Sequence, residues 1–442
     1  MGRLFGTDGV RGIAGRDLTT DLAFSLGSAA TRMLQRRGFD RPSFVVGRDT
    51  RASGPTLERA LEEGIRSAGG DVLLAGVQTT PAIAFLAVDL GAESGAVISA
   101  SHNPPEYNGI KFFDGNGYKY SEALEDEVEA LVVDGPGFSS DDGDAREAPD
   151  ATERYLRHLV RAAEAPLHGM RVVVDCANGA ATGVAPEAFK RLGADVTALA
   201  DEPTGDNINV GCGAMHPEVV SAAVLEAGAD AGVAHDGDAD RALFADARGR
   251  IVDGDQVLAA SAITLRKQGR LPGNTVVTTV MANLGFLRCM EQAGIGVVTT
   301  KVGDRFVLEQ MRRIDALLGG EQSGHIIFRE HATTGDGILT AIKLLSFAVA
   351  HGVSVAEFVA PMRRFPQVLR NIEVSDREGL DGAQEVWDAV RAAESELGKS
   401  GRVLVRASGT EPLVRVMVEA ETREAARRHA EAIAGVVRSA LT

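Results

Sequence analysis

The stretch GAVISASHNP, residues 95–104, passes directly from an apolar segment into small polar residues and a proline. Residues 95–98 predict a buried strand, and Asn103-Pro104 predicts the turn that ends it. Because chemistry in α/β proteins is usually placed at strand ends, Ser101 is a candidate nucleophile. A serine beside a histidine is also common in ordinary turns, and the Gly-x-Ser-x-Gly elbow of hydrolases is missing around Ser101. This segment alone therefore leaves both interpretations open.

The segments on either side of this stretch alternate between predicted strands and helices. The predicted strand–helix–strand units are 44–46, 56–68 and 71–75, then 170–175, 186–192 and 195–199, then 275–280, 284–293 and 296–299. Such alternation predicts mainly parallel sheets with helices on both faces, and three units of similar size suggest diverged copies of one module. The C-terminal part ends in an Ala-rich amphipathic helix over 423–441. We therefore expect an α/β protein with three tandem mixed or parallel-sheet domains and a smaller C-terminal α+β domain.

Polar segments without periodicity predict the domain boundaries. A chain of 442 residues is too long for one ordinary core, so several domains are expected. The polar segments 134–150, 248–255 and 363–371 separate the patterned regions. We predict domains over 1–150, 151–250, 251–365 and 366–442.

Composition excludes several classes of partner and environment. The net charge of −16 argues against nucleic acid as the main partner. No apolar run approaches membrane-spanning length, and residues 1–6 have no apolar signal core. Cys176, Cys212 and Cys289 show no metal-ligand spacing, which favours reduced thiols. We expect a cytoplasmic protein.

A second loop, HDGDADR over residues 235–241, follows a strand-like run. Its carboxylates Asp236, Asp238 and Asp240 project to one side if the loop is extended, and such oxygens suit Mg²⁺. An EF-hand is excluded, because its sixth position would be Arg241 and its twelfth Ala247. A solvated acidic turn is the alternative, and it is less expected directly after a buried strand.

Two further loops carry polar groups framed by glycines. GGEQSGH, residues 319–325, offers Glu321, Ser323 and His325, which suit sugar hydroxyls and proton transfer. A turn whose histidine caps a neighbouring helix is an equal alternative. RASGTEP, residues 406–412, with Arg415 shortly after, offers two arginines and two hydroxyls for an oxyanion. It is neither a Walker A loop nor a dinucleotide fingerprint.

Together, in this order and over essentially the full length, the four loops resemble the α-D-phosphohexomutase superfamily. The opening FGTDGVRG, residues 5–12, and GEQSGH, residues 320–325, resemble the branch of bacterial phosphoglucosamine mutases, in which an amide residue after the glutamate is typical. The metal loop departs from the frequent pattern DGDGDR, because its fourth position is Ala239. A methyl group there disfavours a left-handed backbone, but no ligand is lost.

The resemblance implies four domains around one central cleft, with Ser101 as the phosphorylated serine. It implies Mg²⁺ held by Asp236, Asp238, Asp240 and an oxygen of the phosphoserine. Arg11, Lys111, Arg241 and His325 would line the reacting centre, with Lys111 or His325 as the base. Glu321 and Ser323 would bind sugar hydroxyls. The non-reacting phosphate would be bound by Arg406, Ser408, Gly409, Thr410 and Arg415.

The implied activity is the interconversion of glucosamine 6-phosphate and glucosamine 1-phosphate, on the route to UDP-N-acetylglucosamine and cell wall. The implied activator is glucosamine 1,6-bisphosphate or glucose 1,6-bisphosphate, and the implied partner is a small-molecule hexosamine phosphate. The alternatives are the same chemistry on mannose or glucose phosphates, a non-catalytic sugar-phosphate sensor, and a Mg²⁺-dependent phosphatase that admits water to the phosphoserine. The sequence leaves open whether the chain forms a homo-oligomer.

Overall fold

A computed structural model describes residues 4–6, 8–376, 378–408 and 412–441. The chain divides into two compact units. One contains Met1–Met281 and Gly294–Pro361, and the other contains Ala282–Ala293 and Met362–Thr442.

The first sheet of the larger unit has the strand order β1-β5-β4-β2-β3-β6. Its elements are β1 (Val10–Ile13), α1 (Thr20–Arg36), β2 (Ser43–Arg48), α2 (Gly54–Ser67), β3 (Asp71–Val77), α3 (Thr80–Asp89), β4 (Ser94–Ile98), β5 (Tyr107–Asp114), α4 (Glu122–Val133) and β6 (Ala145–Glu147). The central strand β2 is parallel to β3 and β4, whereas β5 is antiparallel to both β4 and β1.

Alternating side chains of this sheet form two separate cores. Phe44 and Val46 pack into one cluster with residues of α1 and α2, while Val45 packs into another with residues of α3. Because successive side chains of a strand point to opposite faces, this division shows helices covering both faces of the sheet. Because both faces of the sheet are covered, the central strands β2 and β4 carry continuous apolar runs.

The second sheet has the order β11-β10-β9-β7-β8. Its elements are α5 (Ala151–Arg161), β7 (Arg171–Asp175), α6 (Ala185–Arg191), β8 (Asp195–Leu199), α7 (Pro217–Ala227), β9 (Ala231–His235), β10 (Ala242–Asp246) and β11 (Ile251–Val252). Strand β7 is parallel to β8 and β9, and β9 turns into the antiparallel β10. The acidic loop 236–241 is therefore the connection of a hairpin at the end of a buried strand.

The third sheet has the order β13-β12-β14-β15. The elements of this region are α8 (Gly254–Lys267), β12 (Thr275–Thr279), α9 (Leu284–Gln292), β13 (Gly296–Thr300), α10 (Asp304–Ile314), β14 (Leu318–Gly320), β15 (Ile326–Phe328), α11 (Gly337–Ala350) and α12 (Val355–Val359). Strand β12 is parallel to β13 and β14, and β15 is antiparallel to β14. Residues 321–325 connect β14 to β15.

The smaller unit contains an antiparallel sheet with the order β16-β18-β17. Besides α9, its elements are β16 (Gln367–Glu373), α13 (Gln384–Leu397), β17 (Gly401–Ala407), β18 (Leu413–Ala420) and α14 (Arg423–Leu441). Val414, Val416 and Val418 alternate along β18 and pack in one core with α14. One face of the sheet is thus buried by helices.

The predicted fold class is confirmed: three α/β sheets with helices precede a smaller domain with an antiparallel sheet. The α/β sheets are mixed, because each carries at least one antiparallel strand. In the part of the chain that the structure describes, every helix is too short or too polar to cross a lipid bilayer.

Candidate active site

Ser101 lies at the end of the fully buried strand β4 and is 1% exposed. Its backbone adopts the left-handed region, with φ of 51°. The Ser101 Oγ donates a hydrogen bond to Asp236 Oδ2 at 2.6 Å, and the Ser101 N–H donates to Ser99 Oγ at 3.0 Å. The structure therefore joins the candidate nucleophile directly to the acidic loop.

Asp236, Asp238 and Asp240 converge in the hairpin turn between β9 and β10. All three are buried, and one carboxylate oxygen from each lies within 4.8 Å of the others. The Oδ1 atoms of Asp238 and Asp240 are buried and accept no hydrogen bond from a described residue. Carboxylate oxygens without a hydrogen bond suit a hard divalent cation, so the donor set fits the predicted metal.

The pKa values of Asp236 and Asp240 also favour a bound cation. Burial, followed by the charges of Asp240 and Asp238, raises the pKa of Asp236 well above its usual value. Burial also acts to raise the pKa of Asp240, but the hydrogen bond and charge of His325, with Lys111 and Arg241, lower it. A bound cation would let all three carboxylates stay ionised together.

Ala239 lies within the metal loop and adopts a left-handed backbone, with φ of 54°. Its carbonyl accepts a hydrogen bond from the N–H of Gly337 at 2.9 Å. The methyl group that was expected to disfavour this conformation is therefore accommodated, and the carboxylates on either side still converge.

Lys111 projects from β5 into the same site. Its Nζ lies 2.9 Å from Asp238 Oδ2, and that oxygen also accepts a hydrogen bond from Thr80 Oγ1 at 2.6 Å. Burial lowers the pKa of Lys111, but the charges of Asp238 and Asp8 raise it above its usual value. The side chain is thus held as an ammonium ion.

Two arginines lie near the Ser101 loop. Arg11 Nη2 pairs with Asp8 Oδ2 at 2.7 Å, and Arg11 Nη1 donates to Asn103 Oδ1 at 3.4 Å. Arg241 Nε lies 3.6 Å from Asp240 Oδ1. The Arg11 Nε is buried and donates to no described residue, so it is available to an anionic oxygen.

The loop between β14 and β15 is tightly closed. The N–H of Glu321 donates to the His325 carbonyl at 2.9 Å, and Glu321 Oε1 accepts from the N–H of Gly303 at 3.1 Å. The Ser323 Oγ is buried and makes no hydrogen bond with the described residues. This hydroxyl is free to bind a ligand hydroxyl.

Gly324 brings this loop against the metal loop. Its φ is 91°, and a Cβ built on it would lie 2.2 Å from the carbonyl oxygen of Ala242. Only glycine permits both the backbone conformation and the close approach.

His325 has both ring nitrogens engaged. Its Nε2 accepts a hydrogen bond from the N–H of Gly335 at 3.0 Å, so the ring proton lies on Nδ1, 3.6 Å from Asp240 Oδ2. Gly335 precedes α11 and is not part of it. The alternative role, in which this histidine caps a helix, does not describe these contacts.

Within the smaller unit, Arg406 and Arg415 lie directly opposite each other on β17 and β18. Burial and the charge of Arg415 lower the pKa of Arg406. Opposite residues of antiparallel strands share a face, so an anion would relieve the repulsion between these guanidinium groups. Ser408 is buried and follows β17, whereas Gly409 and Thr410 lie outside the described residues.

Sequence reasoning missed several charged groups around the centre. Lys119 Nζ donates to Asp8 Oδ1 at 2.9 Å and also pairs with Asp304. Asp8 belongs to the quoted opening FGTDGVRG, yet it was assigned no role. Asp49, Arg51 and Asn209 were missed as well, because their contacts with the Ser101 loop span 50 or more residues of chain.

Comparisons with known proteins match the entire order of these domains. Residues 2–135, 153–249 and 253–365 match the families described as phosphoglucomutase/phosphomannomutase alpha/beta/alpha domains I, II and III. Residues 369–436 match the family described as phosphoglucomutase/phosphomannomutase, C-terminal domain.

Similar proteins were found among curated sequences and among solved structures. The phosphoglucosamine mutase of Thermobifida fusca is 52% identical over 100% of this chain and 99% of its own length. That of Symbiobacterium thermophilum is 51% identical over 100% of both. The crystal structure of a phosphoglucomutase/phosphomannomutase family protein from Burkholderia thailandensis has a TM-score of 0.84 at 26% identity, covering 99% of this chain and 97% of that one.

Proposed function

This chain belongs to the phosphoglucomutase/phosphomannomutase family, and we propose that it interconverts glucosamine 6-phosphate and glucosamine 1-phosphate. The family membership predicted from the four loops is thereby confirmed. The observation that carries the proposal is the 2.6 Å hydrogen bond from Ser101 Oγ to Asp236 in a buried triad of aspartates. It is a suitable arrangement for a phosphoserine beside a cation.

We assign Mg²⁺ to Asp236, Asp238, Asp240 and an oxygen of phosphorylated Ser101. When bound, this ion supplies positive charge that offsets the charge on a transferring phosphoryl group. The Oδ1 atoms of Asp238 and Asp240, which accept no hydrogen bond from a described residue, support the assignment.

The reaction uses Ser101 as a phosphoryl carrier. The free hydroxyl of the sugar phosphate attacks the phosphoserine phosphorus, the bond from Ser101 Oγ to phosphorus breaks, and a sugar bisphosphate forms. The bisphosphate turns end over end and returns its other phosphoryl group to Ser101 Oγ. Arg11, Lys111 and Arg241 stabilise the charge on the moving group.

The attacking hydroxyl must also lose its proton. Lys111 is held as an ammonium ion by Asp238. The Nε2 lone pair of His325 already accepts the N–H of Gly335. Burial lowers the pKa of His325, but the hydrogen bond and charge of Asp240 raise it above its usual value. We propose Lys111 or His325 as the base, and either group must release its present contact before it can accept the proton.

Recognition divides between two loops. We assign the sugar hydroxyls to Glu321 and Ser323, and the free Ser323 Oγ supports this. We assign the non-reacting phosphate to Arg406, Ser408, Gly409, Thr410 and Arg415. A loop that contacts phosphate and little else can accept the bisphosphate in both orientations.

The remaining assignments follow from the same chemistry. Glucosamine 1,6-bisphosphate or glucose 1,6-bisphosphate is the proposed activator, because either can phosphorylate Ser101. The product would feed UDP-N-acetylglucosamine and cell-wall synthesis in the cytoplasm. We propose that the four functional loops belong to domains over residues 1–150, 151–250, 251–365 and 366–442.

Turnover of three substrates tests the proposal. Glucosamine, glucose and mannose 6-phosphates would be compared at equal Mg²⁺ and activator concentrations. We expect the highest kcat/KM on glucosamine 6-phosphate, in line with relatives about half identical. Preference for mannose or glucose would assign the chain to the other substrate class. Release of inorganic phosphate faster than isomerisation would indicate a phosphatase, and binding without turnover a sensor.

A further inference from the structure

Arg51 is completely buried beside the Ser101 loop, so its positive charge lies in the protein interior. Its Nε pairs with Asp49 Oδ2 at 2.9 Å, and Asp49 is also completely buried. The two terminal nitrogens donate to backbone carbonyl oxygens of one short loop. These acceptors are Ser101 at 2.9 Å, Asn103 at 2.8 Å, Tyr107 at 3.0 Å, and Pro104. All five N–H groups of the guanidinium are thus engaged.

A second donor reaches the same loop from the neighbouring α/β region. Asn209 Nδ2 donates to the Ser101 carbonyl at 2.9 Å and to the Asn103 carbonyl at 3.1 Å. Asn209 is 9% exposed and precedes α7. The Ser101 carbonyl therefore has one donor from the loop after β2 and one from the segment between β8 and α7.

The amide side of Ser101 is fixed by the same group of residues. Its N–H donates to Ser99 Oγ at 3.0 Å, and Ser99 Oγ donates to Asp49 Oδ2 at 2.6 Å. Ser101 occupies a left-handed conformation that is unfavourable for a non-glycine residue. Hydrogen bonds at both its N–H and its carbonyl offset that cost and fix the direction of Oγ.

We infer that Arg51 and Asn209 are positioning residues, which hold the Ser101 backbone so that Oγ meets the phosphoryl group in both half-reactions. The inference rests on the proposed function, because it assumes that Ser101 carries the phosphoryl group. Both residues act through the Ser101 carbonyl oxygen and not through the Oγ that carries the phosphoryl group. Their effect is on the rate of transfer, since misplacing a reacting atom by about 1 Å can cost roughly a hundredfold.

Two substitutions with matched controls test the inference. N209G introduces a residue that tolerates φ of 62° and deletes the side chain whose amide donates to the Ser101 loop. Its control is N274G, at another left-handed asparagine outside this group, with φ of 45°. R51K keeps the charge and removes the fork of donors. Its control is R66K, whose guanidinium also binds a loop carbonyl, that of Gly143 at 2.9 Å.

The measurements are the rate at which glucose 1,6-bisphosphate phosphorylates Ser101, kcat and KM for glucosamine 1-phosphate, and the melting temperature. For N209G we expect transfer and kcat to fall by roughly tenfold to a hundredfold, with KM and melting temperature close to those of N274G. If R51K fails to fold, the result for N209G alone tests the inference. Transfer by N209G at the wild-type rate would overturn the inference. Wild-type enzyme that gains no phosphate on Ser101 would instead overturn the proposed function, and the inference with it.

Discussion

Ser101 Oγ and Asp236 Oδ2 are 2.6 Å apart, although 135 residues separate them in the chain. One residue follows strand β4 of the first sheet, and the other follows strand β9 of the second. Because Ser101 is 1% exposed and Asp236 is completely buried, their contact lies away from bulk water. Phosphoryl transfer to a sugar, with little leakage to water, needs such a place.

We expect D238N and D240N to weaken metal affinity and metal-dependent activity, because each substitution removes an anionic ligand from a hard cation. Titration calorimetry with Mg²⁺ would measure the affinity directly. D230N is the control, since Asp230 lies in the same region and accepts a hydrogen bond from Arg171. Activity that persists at full rate in a chelator would contradict the metal assignment.

Replacing Arg415 with alanine should raise KM by a similar factor for every hexose phosphate. Loss of one charge-assisted phosphate contact costs about 1.5–3 kcal/mol. E321Q should instead change the ratio of kcat/KM between sugars, because Glu321 is assigned to the hexose. Steady-state kinetics on three hexose phosphates separate the two effects. If R415A changed the ratio of kcat/KM between sugars and left phosphate affinity unaltered, the roles of Arg415 and Glu321 would be wrongly assigned.

Replacing Ala239 with glycine should stabilise the protein by about 0.5–1 kcal/mol. Glycine relieves the left-handed strain at φ of 54°, and the greater freedom of the unfolded chain cancels part of this gain. Thermal unfolding would show a small rise in melting temperature. A234G is the control, because Ala234 is buried in the extended strand β9 and should lose stability. Equal destabilisation of both variants would contradict the backbone strain inferred at Ala239.

Asp336 predicts a pH-dependent contribution to stability. Burial raises its pKa to about 6 in the folded protein, so the folded state binds more protons than the unfolded state between about pH 4 and 6. Its contribution is therefore largest below about pH 4 and is lost as the pH rises towards 6. D336N should flatten this dependence and gain on the order of 1–2 kcal/mol relative to wild type at pH 7.

Urea unfolding of both proteins at several pH values would measure this difference. The acceptor that caps α11 is retained in D336N, because the amide oxygen can still accept the N–H of Leu339. A difference between D336N and wild type that stays constant from pH 4 to 7 would contradict the shifted pKa.

Periodicity was sufficient to predict the long elements of the fold. The helix expected over 423–441 is α14, and the strand expected over 195–199 is β8. Short strands carry too few residues for a recognisable period, so β11 and β15 were not predicted. These strands are antiparallel edges of the second and third sheets, in agreement with the mixed or parallel sheets that were expected.

Residue types in single loops were enough to nominate Ser101 and the three aspartates. Their supports were invisible because each acts across sheets: Asn209 lies 108 residues from Ser101, and Thr80 lies 158 residues from Asp238. The charge on Lys111 was equally hidden, since only the fold places Asp238 beside it. Loop composition predicts which groups do chemistry, whereas tertiary contacts determine how they are held.

The most direct test of the account is the location of the phosphoryl group. Wild-type enzyme would be incubated with glucose 1,6-bisphosphate and Mg²⁺, digested, and analysed by peptide mass spectrometry, with mutase activity measured in parallel for S101A. We predict one phosphate on Ser101 and loss of nearly all activity in S101A. Phosphate found only on Ser99, or an S101A enzyme with full activity, would contradict the assignment of Ser101 as the phosphoryl carrier.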